Sequence, residues 1–230
     1  MRTAGSGRLP GVAACGAILA GMPRRATTDG SGAGPSAMLR TQHAEATRRA
    51  VLAAARTLFG RQGYAQTSVE DIAAAARVTK GAVYHHFAGK KALFRAVYAE
   101  VEAETQTRAV SAGDPEDPPV DQIVAKVNAY LDAALDEEIR QITLIDGPTM
   151  FGLEPENAPD QQAAQAGVRL FIATAIARGQ IADLDPDVLT EIIGGLAWLG
   201  GLLIARASDP DASRAALGKA LDTMLRGLAP

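Results

Sequence analysis

The stretch Thr67–Phe94, TSVEDIAAAARVTKGAVYHHFAGKKALF, decides the fold. It reads as two short helices joined by a tight turn and followed at once by a third, the layout of a helix-turn-helix that enters a DNA groove. Thr67 followed three residues later by Glu70 has capping-box spacing, which predicts a helix through Ile72 to about Ala76. Arg77-Val78 ends the alanine run, and Thr79 offers a hydroxyl N-cap for a second helix, Lys80 to about His86. Val69, Ile72 and Ala73 form one apolar stripe, and Val78, Val83 and Phe87 form the surface that closes on it. Left facing outward on the second helix are Lys80, Gly81, Ala82, Tyr84 and His85. Small residues allow close approach to a major groove, a lysine can donate to guanine O6/N7, and Tyr or His can reach phosphate oxygens. Gly81 costs about 1 kcal/mol against Ala inside a helix, and close approach is a reason to keep it.

Taken together these residues resemble the tetracycline-repressor (TetR) family of transcriptional regulators, from roughly Arg48 to Val97. The resemblance rests on Leu58-Phe59, Gly63-Tyr64, Thr67, Ile72-Ala73, Val78-Thr79-Lys80-Gly81, Tyr84-His85-His86-Phe87, Lys90 and Ala92-Leu93-Phe94. It implies that Lys80, Gly81 and Ala82 read bases, and that Thr67, Ser68, Tyr84, His86 and Lys90 hold phosphates. It further implies a homodimer paired through its last two helices, a palindromic double-stranded DNA operator and a small-molecule effector. Two residues depart from the family pattern. Arg77 stands where the family often has glycine, and a left-handed backbone there costs about 1–2 kcal/mol. Glu70 is an acid near the expected phosphate path, and is read here as the capping partner of Thr67.

Size and charge agree with this layout. A chain of 230 residues, 47% of them apolar, can bury a sizeable core in one or two domains. Abundant alanine and few aromatics favour an all-α fold. Residues 41–98 hold nine Lys/Arg against three acids, a net +6, whereas residues 99–230 hold nine against 22, a net −13. A basic module joined to an acidic one fits a nucleic-acid partner for the first only. The division expected is a tail over 1–40, a DNA-binding domain over 41–98 and a helical effector-binding and dimerisation domain over 99–230. The single Cys15 offers neither a disulfide within the chain nor a cysteine zinc site, so a reducing cytoplasm is the default.

Residues 1 to about 40 are rich in Gly, Ala, Ser and Thr and read as disordered. Arg2 and Arg8 before the apolar run Gly11–Met22 have a secretory layout, but that run is glycine-rich and a DNA binder follows it. Met38 stands where the family pattern opens, so translation starting at Met38, or at Met22, is expected in place of Met1. A first helix is expected from about Ala44 to Gly60, with Val51, Leu52, Ala55, Leu58 and Phe59 on one face. A fourth begins near Lys90 with Leu93, Phe94, Val97 and Val101 inward, and Glu100, Glu102 and Glu104 form its solvated face. Ser111–Pro119 is a linker by composition. Asp117-Pro118, Asp185-Pro186 and Asp209-Pro210 each pair a capping acid with a first-turn proline, which predicts three helix starts. The first of these helices carries Ile123, Val124, Val127, Tyr130, Leu131 and Leu135 on a stripe. Between them, a short helix is expected over Glu137–Ile145, ending at Asp146-Gly147-Pro148. Another is expected over Pro159–Arg178, stopped by Gly179 after a basic last turn.

The run Ile192–Ala205 is apolar nearly all round, and Leu217, Leu221, Met224, Leu225 and Leu228 form a second stripe. A membrane span needs about 20 apolar residues, so no membrane partner is expected, and a second subunit would cover one side. The paired glycines Gly194, Gly195, Gly200 and Gly201 would allow close backbone approach there. The region RQITLIDGPTMFG and the IARASDPDA segment resemble one type of TetR carboxy-terminal domain, which implies an effector cavity between helices. Its candidate lining is Tyr130, Ile145, Met150, Phe151, Phe171 and Trp198, with Asp146 as polar anchor. Each of these also fits plain core or, for Asp146, a helix end. His43, His85 and His86 lack partners for a metal, and no phosphate loop, dinucleotide loop or nucleophile elbow is present. No catalytic residues, metal or cofactor are therefore expected. The reading is a ligand-responsive repressor; an activator or non-operator protein of the same fold, and a small helical enzyme using the carboxy-terminal pocket, are its rivals.

Overall fold

A computed structural model describes residues 35–152 and 159–230, with side chains over 41–152 and 166–230. The expectations for residues 1–34, including starts at Met1 and Met22, lie outside the described residues. The fold is all-α, as expected. Its helices are α1 (Pro35–Gln66), α2 (Val69–Ala75), α3 (Lys80–His86), α4 (Lys90–Val110), α5 (Pro119–Ala133), α6 (Glu137–Ile139), a π-helical segment (Arg140–Asp146), α7 (Gly147–Phe151), α8 (Pro159–Ala177), α9 (Pro186–Arg206) and α10 (Pro210–Arg226).

Several boundaries differ from the sequence expectation, each for a physical reason. α1 starts at Pro35, within the stretch read as an unstructured tail, and continues past Gly60. At Gly63 (φ 76°, ψ 168°) the backbone leaves the helical region, so α1 consists of two helical pieces meeting at a kink, in a conformation open essentially to glycine alone. Asp117 does not cap α5. Pro118 occupies the N-cap with extended ψ 143°, because the following Pro119 pushes its neighbour out of the α region, and the start moves by one residue. Asp185 and Asp209 do cap, accepting from the N–H groups of Asp187 and Val188 and of Ala212. The helix expected to stop at Asp146-Gly147-Pro148 instead passes through a π turn into α7. Pro148 lies in the first turn of α7, where its missing N–H is not needed. α8 ends as expected before Gly179 (φ 66°), but Arg178 falls at the cap, so the last turn holds no basic residue.

Two cores result. The first joins Val51, Phe59, Ile72, Val83, Leu93, Phe94 and Val97 of α1–α4 to Ile139, Ile142, Met150 and Phe151. Phe94 stands edge-on to Phe59 (5.1 Å) and Tyr64 (5.0 Å), and its ring stacks on Phe151 (5.7 Å). The second gathers Ile123, Val127 and Leu131 of α5 with Leu144, Ile172, Ile193, Ile204, Leu221 and Leu225. α4 runs unbroken between them and packs on α1 and on α5.

The acids of α4 do not share one solvated face. Residues two apart on a helix point in nearly opposite directions. Glu104, on one side, takes two hydrogen bonds from Arg56 of α1 (2.8 and 2.9 Å), with Glu100 at 3.6 Å from the same guanidinium. Glu102, on the other side, is 8% exposed. Arg56 also donates to Glu138 of α6 (2.7 Å), so one side chain ties α1, α4 and α6 together.

α9 is long and apolar enough by composition to cross a membrane, although the apolar run read from sequence was shorter. It packs on α5, α8 and α10. One of its rows stays uncovered by the described residues: Val188, Ile192, Leu199 and Leu203 are 46–56% exposed, and Met224 of α10 is exposed too. The four glycines divide. A methyl group on Gly194 or Gly195 would meet nothing within 4 Å, whereas one on Gly200 would stand 2.7 Å from Leu131 Cδ2, and one on Gly201 3.4 Å from Tyr130 Cε1. Gly200 and Gly201 therefore serve close packing on α5 within the chain, not approach of a second backbone.

Candidate nucleic-acid interface

α2 is capped by Ser68 and not by Thr67. The Asp71 N–H donates to Ser68 Oγ (3.0 Å), and Asp71 Oδ2 accepts from the Ser68 N–H (3.0 Å) and hydroxyl (2.6 Å), a complete capping box one residue later than expected. Thr67 is 1% exposed and donates its hydroxyl to the Gly63 carbonyl (2.8 Å), finishing α1 beyond its bend. Its side chain is buried against the end of α1, and Glu70 is free of the cap.

The turn to α3 is closed by a Schellman pattern. The Val78 N–H donates to Ala73 O (2.9 Å) and the Arg77 N–H to Ala74 O (3.1 Å), with Arg77 left-handed at φ 56°. The side chain that replaces the family's usual glycine thus accepts that backbone. Thr79 caps α3, accepting from the Ala82 N–H (3.2 Å). Val83 and Phe87 are buried against α1 and α2, and Val78 half-buried, so the short helix has only one way to face.

The outward edge of α3 then carries exposed Lys80, Gly81, Tyr84 and His85, with Ala82 and His86 half-buried. Among the described residues, a methyl on Gly81 would meet only Thr79 Oγ1, at 3.8 Å, so none of them requires glycine there. Lys80 Nζ lies 5.8 Å from the centre of the Tyr84 ring and donates to Glu70. That bond holds the Glu70 carboxyl below its ordinary range and raises the Lys80 ammonium. Lys90 opens α4 with Nζ 4.2 Å from the Tyr64 ring centre, and Ser68 opens α2. Apart from Thr67, the residues expected to meet DNA therefore hold wholly or partly exposed positions on α3 or at the starts of α2 and α4.

The residues expected to line an effector cavity are divided between the two cores. Tyr130 and Phe171 pack on the second. Met150 and Phe151 pack on the first, with the Phe151 ring 5.3 Å from Tyr98. Trp198 is half-buried on α9 and Ile145 exposed. Asp146 is engaged by the protein itself: Oδ2 accepts from the Tyr64 N–H (2.7 Å) and from Gln141 Nε2 (3.0 Å), which ties the bend of α1 to the π-helical segment. Glu102, read from sequence as part of a solvated face, lies within charge reach of Tyr130. Burial pushes the Glu102 carboxyl up, opposed by a hydrogen bond from Gln106 (3.1 Å). Burial likewise raises the Tyr130 hydroxyl, with the charges of Glu102 and Tyr98 adding to it. The helical row Tyr98–Glu102–Thr105–Ala109, continuing the buried side of α4, carried that signal.

Residues 51–97 match the family model for bacterial regulatory proteins of the tetR family, and residues 120–228 match a tetracyclin repressor-like C-terminal domain. The HTH-type transcriptional regulator TtgR of Pseudomonas putida is 28% identical over 173 residues, 70% of this chain and 80% of that protein. The crystal structure of a TetR-family transcriptional regulator from Pectobacterium atrosepticum is 34% identical, with a TM-score of 0.73 over 82% of this chain and 96% of that one. AibR, solved with isovaleryl coenzyme A and operator DNA, is 24% identical with a TM-score of 0.53 over 77% of this chain and 97% of that one, a likeness of fold.

Proposed function

The chain belongs to the TetR family of DNA-binding transcriptional regulators, and from that premise we propose that it is an effector-responsive repressor binding a palindromic operator as a homodimer. The observation that carries the operator reading is the outward edge of α3. Lys80, Gly81, Tyr84 and His85 stay accessible while Val83 and Phe87 anchor the helix beneath. Lys80, Gly81 and Ala82 are the proposed base readers. Ser68, Tyr84, His86 and Lys90 are the proposed phosphate contacts, whereas the Thr67 side chain is buried and its N–H donates to the Tyr64 carbonyl.

The uncovered row of α9, with Met224 and the open Gly194–Gly195 surface, supports pairing of two copies through α9 and α10. Such a dimer would set its two α3 helices about 34–36 Å apart, one DNA turn. The effector's place is proposed beside Tyr130 and Phe171, which pack on the second core, with Trp198 half-buried on α9. AibR, with its coenzyme A ligand and operator, is a precedent of fold for such a pairing of ligand and DNA. An effector releases DNA to the extent that it binds one spacing more tightly than the other.

The test is fluorescence anisotropy with a palindromic duplex selected from a random library by the wild-type protein, against random duplex, across salt. Sequence-selective, steeply salt-dependent binding is expected. A folded dimer with no preference between the two duplexes would overturn the operator reading.

A further inference from the structure

Two neighbouring acids at the start of α2 have different employments. Asp71 closes the cap with Ser68. Glu70 has no part in that cap; its carboxylate reaches ten residues along the chain to the ammonium of Lys80, the first residue of α3. Both side chains stand in solvent, 60% and 50% exposed, on the surface that also carries Gly81, Tyr84 and His85. An exposed pair of this kind adds little to folding. Its consequence falls on whatever approaches α3.

An ammonium already sharing a carboxylate is a poor partner for phosphate, because the acid repels the same phosphate the lysine attracts. It remains a good partner for a base edge. Lysine has three N–H donors, of which Glu70 takes one, and guanine O6 and N7 can accept others. A carboxylate beside it can accept from a cytosine N4 amino group, which is the complementary edge. We propose that Glu70 is a specificity-determining residue: it keeps Lys80 off the phosphate backbone and presents an adjoining donor and acceptor to a G·C-containing step in each half-site. This inference rests on the operator reading above.

The experiment compares wild type, Glu70→Gln, Glu70→Asp, Lys80→Ala and the Glu70→Gln/Lys80→Ala double variant. Each is titrated against the selected palindrome, its single-base variants and random duplex. Glu70→Gln keeps the length of the side chain and loses its charge, and is expected to raise random-duplex affinity about tenfold while changing the selected site less than about threefold. One more cation per half-site then faces phosphate, so the salt slope on random DNA steepens by about one to two. Discrimination at the affected G·C positions falls about tenfold, and in the Lys80→Ala background the further loss from Glu70→Gln is smaller, because only the carboxylate's own contact to cytosine remains to be lost. Glu70→Asp, charged but shorter, falls between. Equal shifts on selected and random DNA, or additive effects of the two substitutions, would overturn the inference and leave the operator reading standing. Absence of any preference in the wild type would overturn both, and is read before any variant is made.

Discussion

Gly63→Ala tests the bend on which the helix-turn-helix hangs. Gly63 has φ 76° and ψ 168°, a region that costs a residue with a side chain about 1–3 kcal/mol. A methyl there would also stand 2.9 Å from Gln141 Nε2 and 3.3 Å from Asp146 Oδ2. Both are ends of side chains and can move, but moving them disturbs the 3.0 Å bond from Gln141 to Asp146 and the 2.7 Å bond from the Tyr64 N–H to the same oxygen. Bonds to a charged acceptor contribute about 1.5–3 kcal/mol each, of which a shift of a few tenths of an ångström forfeits a part. Alanine returns about 0.4–1 kcal/mol by restricting the unfolded chain. The net loss is about 2–4 kcal/mol, or about 5–15 °C in melting temperature for a chain of this length. Gly89→Ala is the control, because Gly89 shares a positive φ of 106° and has nothing within 4 Å of the added methyl. Circular-dichroism melts at matched protein concentration read both. A Gly63→Ala melt within about 2 °C of wild type, or no lower than that of Gly89→Ala, would refute the role given to the Asp146 contact.

Glu102→Gln should stabilise the protein, increasingly so as pH rises. Below the ordinary carboxyl range folded and unfolded chains both hold the proton. Above it the unfolded chain ionises first, so the wild type loses stability until the raised folded carboxyl ionises too, and the variant escapes that loss. Melts of the pair from pH 4 to 8 that run parallel would contradict it. Arg56→Met should cost about 1–3 kcal/mol through loss of the Glu104 and Glu138 bonds. Glu104 is held below its ordinary range by Arg56, so this contribution is present above that range and fades as pH falls through the lowered value; a cost unchanged at acid pH would count against it. Leu199→Glu places a charge in the exposed row of α9 and should convert the proposed dimer to monomer in sedimentation velocity while leaving helicity intact; a sedimentation coefficient equal to that of wild type would count against pairing through this row.

Where the determinants were local, sequence was enough. Thr79 as cap, Arg77 in the turn and the burial of Val69, Ile72 and Val83 all follow from spacing within about twenty residues. The capping box failed by one position because Thr67–Glu70 and Ser68–Asp71 both offer the spacing. Only the bend at Gly63, which gives the Thr67 hydroxyl a carbonyl to bind, selects the second. Met150 and Phe151 read like pocket residues because nothing local says that α7 folds back onto Phe94 and Tyr98. Glu70 and Glu102 were misread for a related reason: a carboxylate's employment is set by what surrounds it, Lys80 in one case and burial on the inner side of α4 in the other.

The segment after α5 explains how the two cores can be coupled at all. Ile139 and Ile142 belong to the first core and Leu144 to the second, so a stretch of six residues is packed into both. Arg140–Asp146 follows a π-helical path, which carries an extra residue per turn and is costlier than α-helix. That geometry places Asp146 under the bend of α1 while Leu144 points the other way. Glu138, at the near end of the same stretch, holds Arg56, and through it α4. A movement of α5, α8 or α9 around Leu144 would therefore bear on the segment that carries the Asp146 and Glu138 bonds to α1, and through α1 on α3. Under the proposed reading, an effector in the second core needs no direct line to DNA, since it acts wherever it alters the seat of Leu144. Weakening the bonds at Glu138 or Asp146 should then reduce effector-driven release more than it reduces operator affinity.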